Sequence, residues 1–293
     1  MSKVHLGVIG GSGLYNIEGM SNVEEVKVNT PFGDPSDSVV IGSLGQISVA
    51  FLPRHGRGHF ISPTELNSRA NIWALKSLGV THVVSISACG SLRESFRPRD
   101  VVIPDQLIDF TRLRRDNTFF GDGIVAHISF ADPFCSDFSS LVAEAVRQVA
   151  GATVHEGATL ITIEGPRFST RAESHMFRSW GADIIGMTAS PEAQLAREAE
   201  LCYACMAHVT DYDVWHATEE PVKLEAIIQN LQANTGVAKQ AIRNLAAMLP
   251  LHSILTRKCG CGHALKSAII TDPSRIPEAK RQELSLLLGK YLS

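Results

Sequence analysis

The sequence predicts a single α/β domain built on a mixed β-sheet flanked by helices. Short β-branched or apolar runs alternate with helical patterns over most of the 293 residues. No internal repeat, low-complexity tract or Pro/Gly/Ser linker breaks that alternation. Hydrophobic content of 44% against 19% charged is the balance of a chain that buries a large core.

Taken in order, strands are expected at 4–10, 38–42, 47–52, 82–86, 101–104, 158–163, 183–186 and 202–209. Ser62-Pro63-Thr64-Glu65 offers an N-cap, a proline at the first helical position and a capping-box acid. The helix it announces would place Leu66, Ala70, Trp73, Ala74 and Leu78 on one face and stop at Gly79. A second helix carries Phe138, Leu141, Val142, Ala145 and Val149. Thr170 and Glu173 form a capping box after a Gly165-Pro166 turn, and Ser190-Pro191-Glu192 opens an alanine-rich helix. From about residue 219 the pattern is mostly helical, broken at Pro250, with a last helix over 277–291. One domain spans 1–293, with 250–293 as a C-terminal helical extension.

A formal charge of −3 supplies no field for nucleic acid. Arg112, Arg114 and Arg115 read as a solvated loop. The apolar run 4–9 is too short for a signal peptide, and no stretch approaches the roughly 20 residues of a membrane span. A cytoplasmic protein with no nucleic-acid or membrane partner is expected. Cys202 and Cys205 have CxxC spacing but lie in an apolar run, where burial explains them better than redox chemistry. Cys259-Gly260-Cys261-Gly262-His263 puts three metal-capable groups in five residues. Zinc asks for four ligands and the neighbouring sequence offers no fourth, so a free or locally oxidised pair is preferred to a metal site.

Several strand ends have the composition of anion sites. Gly10-Gly11-Ser12-Gly13 lets backbone N–H groups approach an anion closely. A dinucleotide fingerprint fails there because Asn16 stands where a third glycine is needed. Arg54-His55-Gly56 follows an apolar strand and offers a forked donor, with His55 as a second donor or a positive charge near neutral pH. Ser87-Ala88-Cys89-Gly90-Ser91 is expected as a small-residue turn after another strand. Gly186-Met187-Thr188 and Thr210-Asp211-Tyr212-Asp213 end two more. Ligands gather at the carboxyl ends of strands in such sheets. An Asp held in an apolar pocket there would keep its proton to higher pH.

With these motifs in hand, the chain over about 3–249 resembles the trimeric nucleoside phosphorylase family, and within it the 5′-methylthioadenosine phosphorylases. The order and spacing of Gly-Gly-Ser-Gly-Leu, Arg54-His55-Gly56, Asn71-Ile72-Trp73-Ala74-Leu75, 88–93, 162–174 and 210–213 carry it. The resemblance implies a twisted, partly barrel-like mixed sheet wrapped by helices, and a homotrimer or dimer of trimers. It also implies phosphorolysis of 5′-methylthioadenosine to adenine and 5-methylthioribose 1-phosphate, with phosphate as co-substrate and no metal or organic cofactor. Ser12, Arg54, His55, Ser87, the Ala88 N–H and Thr188 would bind phosphate, and Met187 the ribose. Phe168 and Ser169 would line the base pocket, and Asp211 and Asp213 would face the purine. His127 would reach a neighbouring subunit's site, and Leu224, Ile227 and Ile228 would form the 5′ pocket. A 6-oxopurine nucleoside or 5′-methylthioinosine phosphorylase is the alternative. A non-catalytic purine or phosphate binder and an NAD-dependent oxidoreductase are rivals from other classes.

Overall fold

The computed structural model describes residues 5–11, 13–14, 16–112, 115–216, 224–251 and 257–292. Its central strands form where the chain is continuously apolar. They are β1 (Leu6–Gly10), β4 (Ile47–Pro53), β5 (His82–Ser91) and β9 (Cys202–Asp211). β1 pairs in parallel with both β4 and β5, and β5 in parallel with β9, so all four carboxyl ends open on one side.

Continuous apolarity follows from burial on both faces. Along β9, Cys202, Ala204 and Met206 pack into a cluster with helices α2 (Ser136–Arg147) and α5 (Leu224–Met248). The alternate residues Tyr203, Cys205 and Ala207 pack into a second cluster with α1 (Ser68–Ser77) and α4 (Ala189–Glu198). The CxxC pair therefore points to opposite faces, as a period of two demands.

The sheet order is β2-β3-β4-β1-β5-β8-β7-β6-β9 with an added β5–β9 pairing. Here β2 is Ser21–Val26, β3 Val39–Leu44, β6 Val101–Phe110, β7 Val154–Ile163 and β8 Ile184–Gly186. The extra pairing closes β5, β8, β7, β6 and β9 into a ring, the barrel-like part, and β1, β4, β3 and β2 form an arm leaving it. β2 is the outermost strand and carries exposed side chains throughout most of its length. No apolar run marks it, because only Val26 at its end packs against the core.

Local expectations hold where a cap is complete. α3 (Arg171–Ser179) starts at Thr170 with both halves of its capping box formed. Only half of the expected Ser62–Glu65 box forms: the Glu65 carboxylate accepts from the Ser62 amide and hydroxyl at 3.1 and 2.5 Å, while the Glu65 amide donates to the Ser62 carbonyl, closing a turn and no helix. α1 begins at Ser68, where the Asn67 side chain accepts from the Ala70 amide. The expected turn at 87–91 is strand, with a shift in register between Cys89 and Gly90. Pro104 does not end β6, because register shifts on either side accommodate its missing donor. The last helix is two short ones, α6 (Glu278–Glu283) and α7 (Ser285–Leu288), separated at Leu284. Residues 257–276 hold two 3-10 turns, not helix as expected for the extension.

Candidate active site

Shared strand direction makes the site. A cavity of about 460 Å³ opens where β1, β4, β5 and β9 end, within the range of small-molecule sites. Gly11 and Gly13 line it from the end of β1, Arg54 and His55 from β4, Ser87 and Ala88 from β5, and Asp211 and Asp213 from β9. Met187 and Thr188 enter after β8, and Phe168 and Ser169 from the turn before α3. Ser12, between two lining glycines, lies outside the described residues, as do the side chains of Leu224, Ile227 and Ile228. His127 does not line this cavity. It is exposed, with its amide bonded to the Ala268 carbonyl at 2.8 Å.

Arg54 is 2% exposed and held in a tight frame. Its Nε donates to Glu192 Oε1 at 2.5 Å, Nη1 to the Ile86 carbonyl at 2.9 Å, and Nη2 to Ser85 Oγ at 2.6 Å and Glu192 Oε2 at 3.2 Å. Ser85 Oγ and the Tyr203 hydroxyl donate to the same Glu192 oxygen at 3.0 and 3.1 Å. A buried guanidinium needs such a partner. Of its five N–H groups, one on Nη1 is uncommitted among the described residues. Arg54 thus joins the ends of β1, β4 and β5 to α4 and keeps little capacity for a ligand. Sequence reasoning saw Glu192 only as the start of a helix; nothing local marks a carboxylate as the partner of an arginine 138 positions away.

Of the two roles expected for His55, a second donor or a positive charge, the charge is not met. Burial, and then the neighbouring Arg54 charge, lower its pKa to about 4, so the ring is neutral near pH 7. Its Nδ1 lies 2.8 Å from the Ile61 carbonyl, which can only accept, so Nδ1 carries the proton and Nε2 is an acceptor. The ring stacks on His59 with centroids 4.4 Å apart. A neutral His55 suits the hydroxyl of a monoprotonated oxyanion.

Two acids line the same cavity, Asp213 buried and Asp211 half-buried. Asp211 accepts from the Thr210 hydroxyl at 2.7 Å and from the Asp213 amide at 2.8 Å, and burial raises its pKa above the usual carboxylate value. Burial also raises Asp213, with the Asp211 charge adding to it. The Ser169 and Ser174 side chains stand beside the Asp213 carboxylate as hydrogen-bonding neighbours that oppose this rise, and all three residues are buried. Gly90 makes the crowding possible: a Cβ there would lie 2.9 Å from Ile185 Cγ2, 3.2 Å from Asp211 Oδ1 and 3.3 Å from Asp213 Cβ.

The wall carrying Phe168, which is 50% exposed, is fixed by Arg115. This corrects the expected solvated basic loop. Arg115 pairs with Glu164 at 3.1 Å and donates to the carbonyls of Met187, Ser190 and Glu164 at 2.8, 2.9 and 2.8 Å. Arg112 is indeed exposed, and Arg114 lies outside the described residues. The sequence also passed over His208 and Asn234, which line the cavity too. Asn234 Nδ2 donates to the Val209 carbonyl at 3.2 Å and Asn230 Nδ2 to Thr210 at 2.7 Å, so α5 pins the end of β9. Two polar residues one helical turn apart were the available signal.

One premise of the cysteine expectation, that no further ligand stands near Cys259 and Cys261, does not hold in space. The fold supplies the sulfurs that the neighbourhood of Cys259 and Cys261 lacked, from Cys135 and Cys202.

A mixed, partly closed sheet whose strand ends bring glycines, a histidine and two acids to one cavity defines a class, and the chain belongs to the Phosphorylase superfamily, whose model matches residues 5–247. It is 53% identical to the S-methyl-5′-thioadenosine phosphorylase of Geobacter sulfurreducens, over 98% of this chain and 99% of that protein. It is 52% identical to the protein of the same name from Gloeobacter violaceus, over 99% and 96%. A methylthioadenosine phosphorylase from an Antarctic soil metagenomic library has a crystal structure that superposes with a TM-score of 0.93. That structure is 46% identical and covers 98% of this chain and 100% of its own. A variant of the Schistosoma mansoni adenosine/methylthioadenosine phosphorylase, in complex with methylthioadenosine, matches with a TM-score of 0.82. It is 36% identical, over 91% of this chain and 98% of its own.

Proposed function

We propose that the protein catalyses phosphorolysis of 5′-methylthioadenosine, giving adenine and 5-methylthioribose 1-phosphate. The observation that carries this is that the acids Asp211 and Asp213 line one cavity together with the strand-end residues Gly11, His55, Ser87 and Thr188. Phosphate at those strand ends attacks C1′ as the bond to N9 breaks with its electron pair leaving on adenine. Ser12, Ser87, the Ala88 amide and Thr188 donate to the phosphate oxygens, and neutral His55 accepts the phosphate hydroxyl. Arg54 contributes its one uncommitted N–H and the positive field of a guanidinium only partly offset by Glu192.

Asp211, its pKa raised by burial, gives a proton to N7 as charge develops on the base. The proton lost by phosphate balances the one gained by adenine. A 6-amino group donates, so the Asp213 carboxylate suits adenine better than a 6-oxopurine, which asks for a donor. Phe168 stacks on the base, Ser169 borders it, and Met187 packs on the ribose. Leu224, Ile227 and Ile228 at the start of α5 are assigned to the methylthio end, where apolar side chains penalise a 5′-hydroxyl by about 1–3 kcal/mol.

No metal or organic cofactor takes part in the reaction so written. His127 is assigned to the site of a second copy in a homotrimer. Its exposed position beside the exposed Val125 and Ile270 supports that reading. No helix among the described residues is long and apolar enough to cross a membrane. A cytoplasmic location is proposed with it.

The test is a nucleoside panel incubated with and without inorganic phosphate and resolved by chromatography. Phosphate-dependent release of adenine from methylthioadenosine, faster than release from adenosine, is expected. Faster turnover of methylthioinosine or inosine would move the assignment to a 6-oxopurine enzyme, and release without phosphate would make the protein a hydrolase.

A further inference from the structure

The fold gathers four cysteines that the chain keeps apart. Cys135 is the N-cap residue of α2, Cys202 opens β9, and Cys259 and Cys261 flank Gly260 at the start of a 3-10 turn. Their sulfur atoms all lie within 4.8 Å of one another, and those of Cys202 and Cys259 are 3.5 Å apart. Four sulfurs on a tetrahedral zinc at about 2.3 Å are separated by roughly 3.8 Å along each edge. The cluster already has nearly that size. Two disulfides require sulfurs to meet two by two and give no reason for all four to converge.

We propose that Cys135, Cys202, Cys259 and Cys261 form a structural zinc site that fastens the C-terminal segment to the amino end of β9. The all-sulfur donor set selects a soft ion over magnesium, calcium or manganese. Four protein ligands leave no open position, which makes the site structural. Three of the four cysteines are buried and Cys259 is half-buried, so the ion would be shielded. His263, the remaining metal-capable residue of that run, is engaged elsewhere: its Nδ1 lies 3.2 Å from the Lys290 ammonium.

Four thiolates around a divalent ion carry a charge of −2, and a cation stands beside them. The Arg257 guanidinium packs so closely on Gly262 that a Cβ there would sit 3.0 Å from Cζ. None of the four cysteines lines the catalytic cavity. Cys202 and Asp211 bound a ten-residue strand, about 30 Å at the usual rise, so the metal is remote from the reaction. Binding forms four zinc–sulfur bonds and passes the thiol protons to solvent, without oxidation or reduction.

Metal analysis and intact mass of protein purified under reducing conditions without chelator provide the test. One zinc per chain is expected, surviving gel filtration, with the four cysteines protected from iodoacetamide until the metal is stripped. Refolding with cobalt should give the thiolate charge-transfer and d–d bands of a tetrahedral sulfur site. Cys259→Ser combined with Cys261→Ser should lose the zinc. If that variant folds poorly, the cobalt spectrum of the unaltered chain still decides. Substoichiometric zinc in reduced protein even after zinc is added would overturn the proposal. So would two disulfides that form in preference to metal binding, or a double variant that keeps its zinc.

Discussion

Asp211 has one carboxyl oxygen on the Thr210 hydroxyl and the other on the Asp213 amide, so an amide side chain would keep its place while changing its chemistry. Asp211→Asn removes the proton donor and should lower methylthioadenosine turnover about 10²–10⁴-fold. Asp213→Asn, whose amide can donate to a 6-oxo group, should instead raise relative activity on 6-oxopurine nucleosides. Steady-state kinetics on both substrates measure this, and an unmoved preference would refute the assignment of the base.

His208 makes a different claim. It is 2% exposed, neither ring nitrogen has a partner among the described residues, and burial lowers its pKa to about 4. Only the unfolded chain takes up a proton on it between about 6.5 and 4, so stability is lost as pH falls through that window. The loss is at most about 3 kcal/mol. Glu198, raised to about 7 by burial, works the opposite way: its folded form protonates first, and stability is gained as pH falls from 7 towards 4.5. Comparing the parent with His208→Gln isolates the histidine. Urea unfolding at pH 7 and pH 5 should show a shallower acid loss in the variant.

Among the elements, β5 carries the largest share of the site. Its expected end at residue 86 was wrong because Ser87 to Ser91 are small and polar, the composition of a turn. The strand nonetheless continues, since β8 and β9 pair with it from both sides. Gly90 lies in that unexpected stretch, and its missing side chain is the space that the two acids use. Gly90→Ala should push on Asp211 and Asp213 and lower kcat/KM by about 10²-fold. Thermal unfolding should change far less than activity, since Ile185 alone must yield in the core. A variant with full activity would show that the acids tolerate displacement.

The same element marks where the sequence was legible. Strand direction, helix caps and the glycine turns follow from local chemistry, and the Thr170 capping box formed as written. Glu192 under Arg54, Arg115 behind Met187 and the two distant sulfurs beside Cys259 do not. Each is a contact made by topology between segments tens to more than a hundred residues apart, and no single window of sequence contains both partners.

For the molecule as a whole, closing five strands into a ring and pairing the arm in order leaves β2 as the edge strand, with an outer rim of amides and carbonyls that no strand among the described residues pairs. Such rims recruit copies of themselves. Glu24 and Glu25 sit on this one; Glu25 is ion-paired with Arg57 at 2.7 Å, and the Glu24 carboxylates of two chains meeting there would repel. Replacing both glutamates with threonine should leave catalysis intact while light scattering at high concentration rises, and protein that stays clear would show that the rim is shielded by something other than charge.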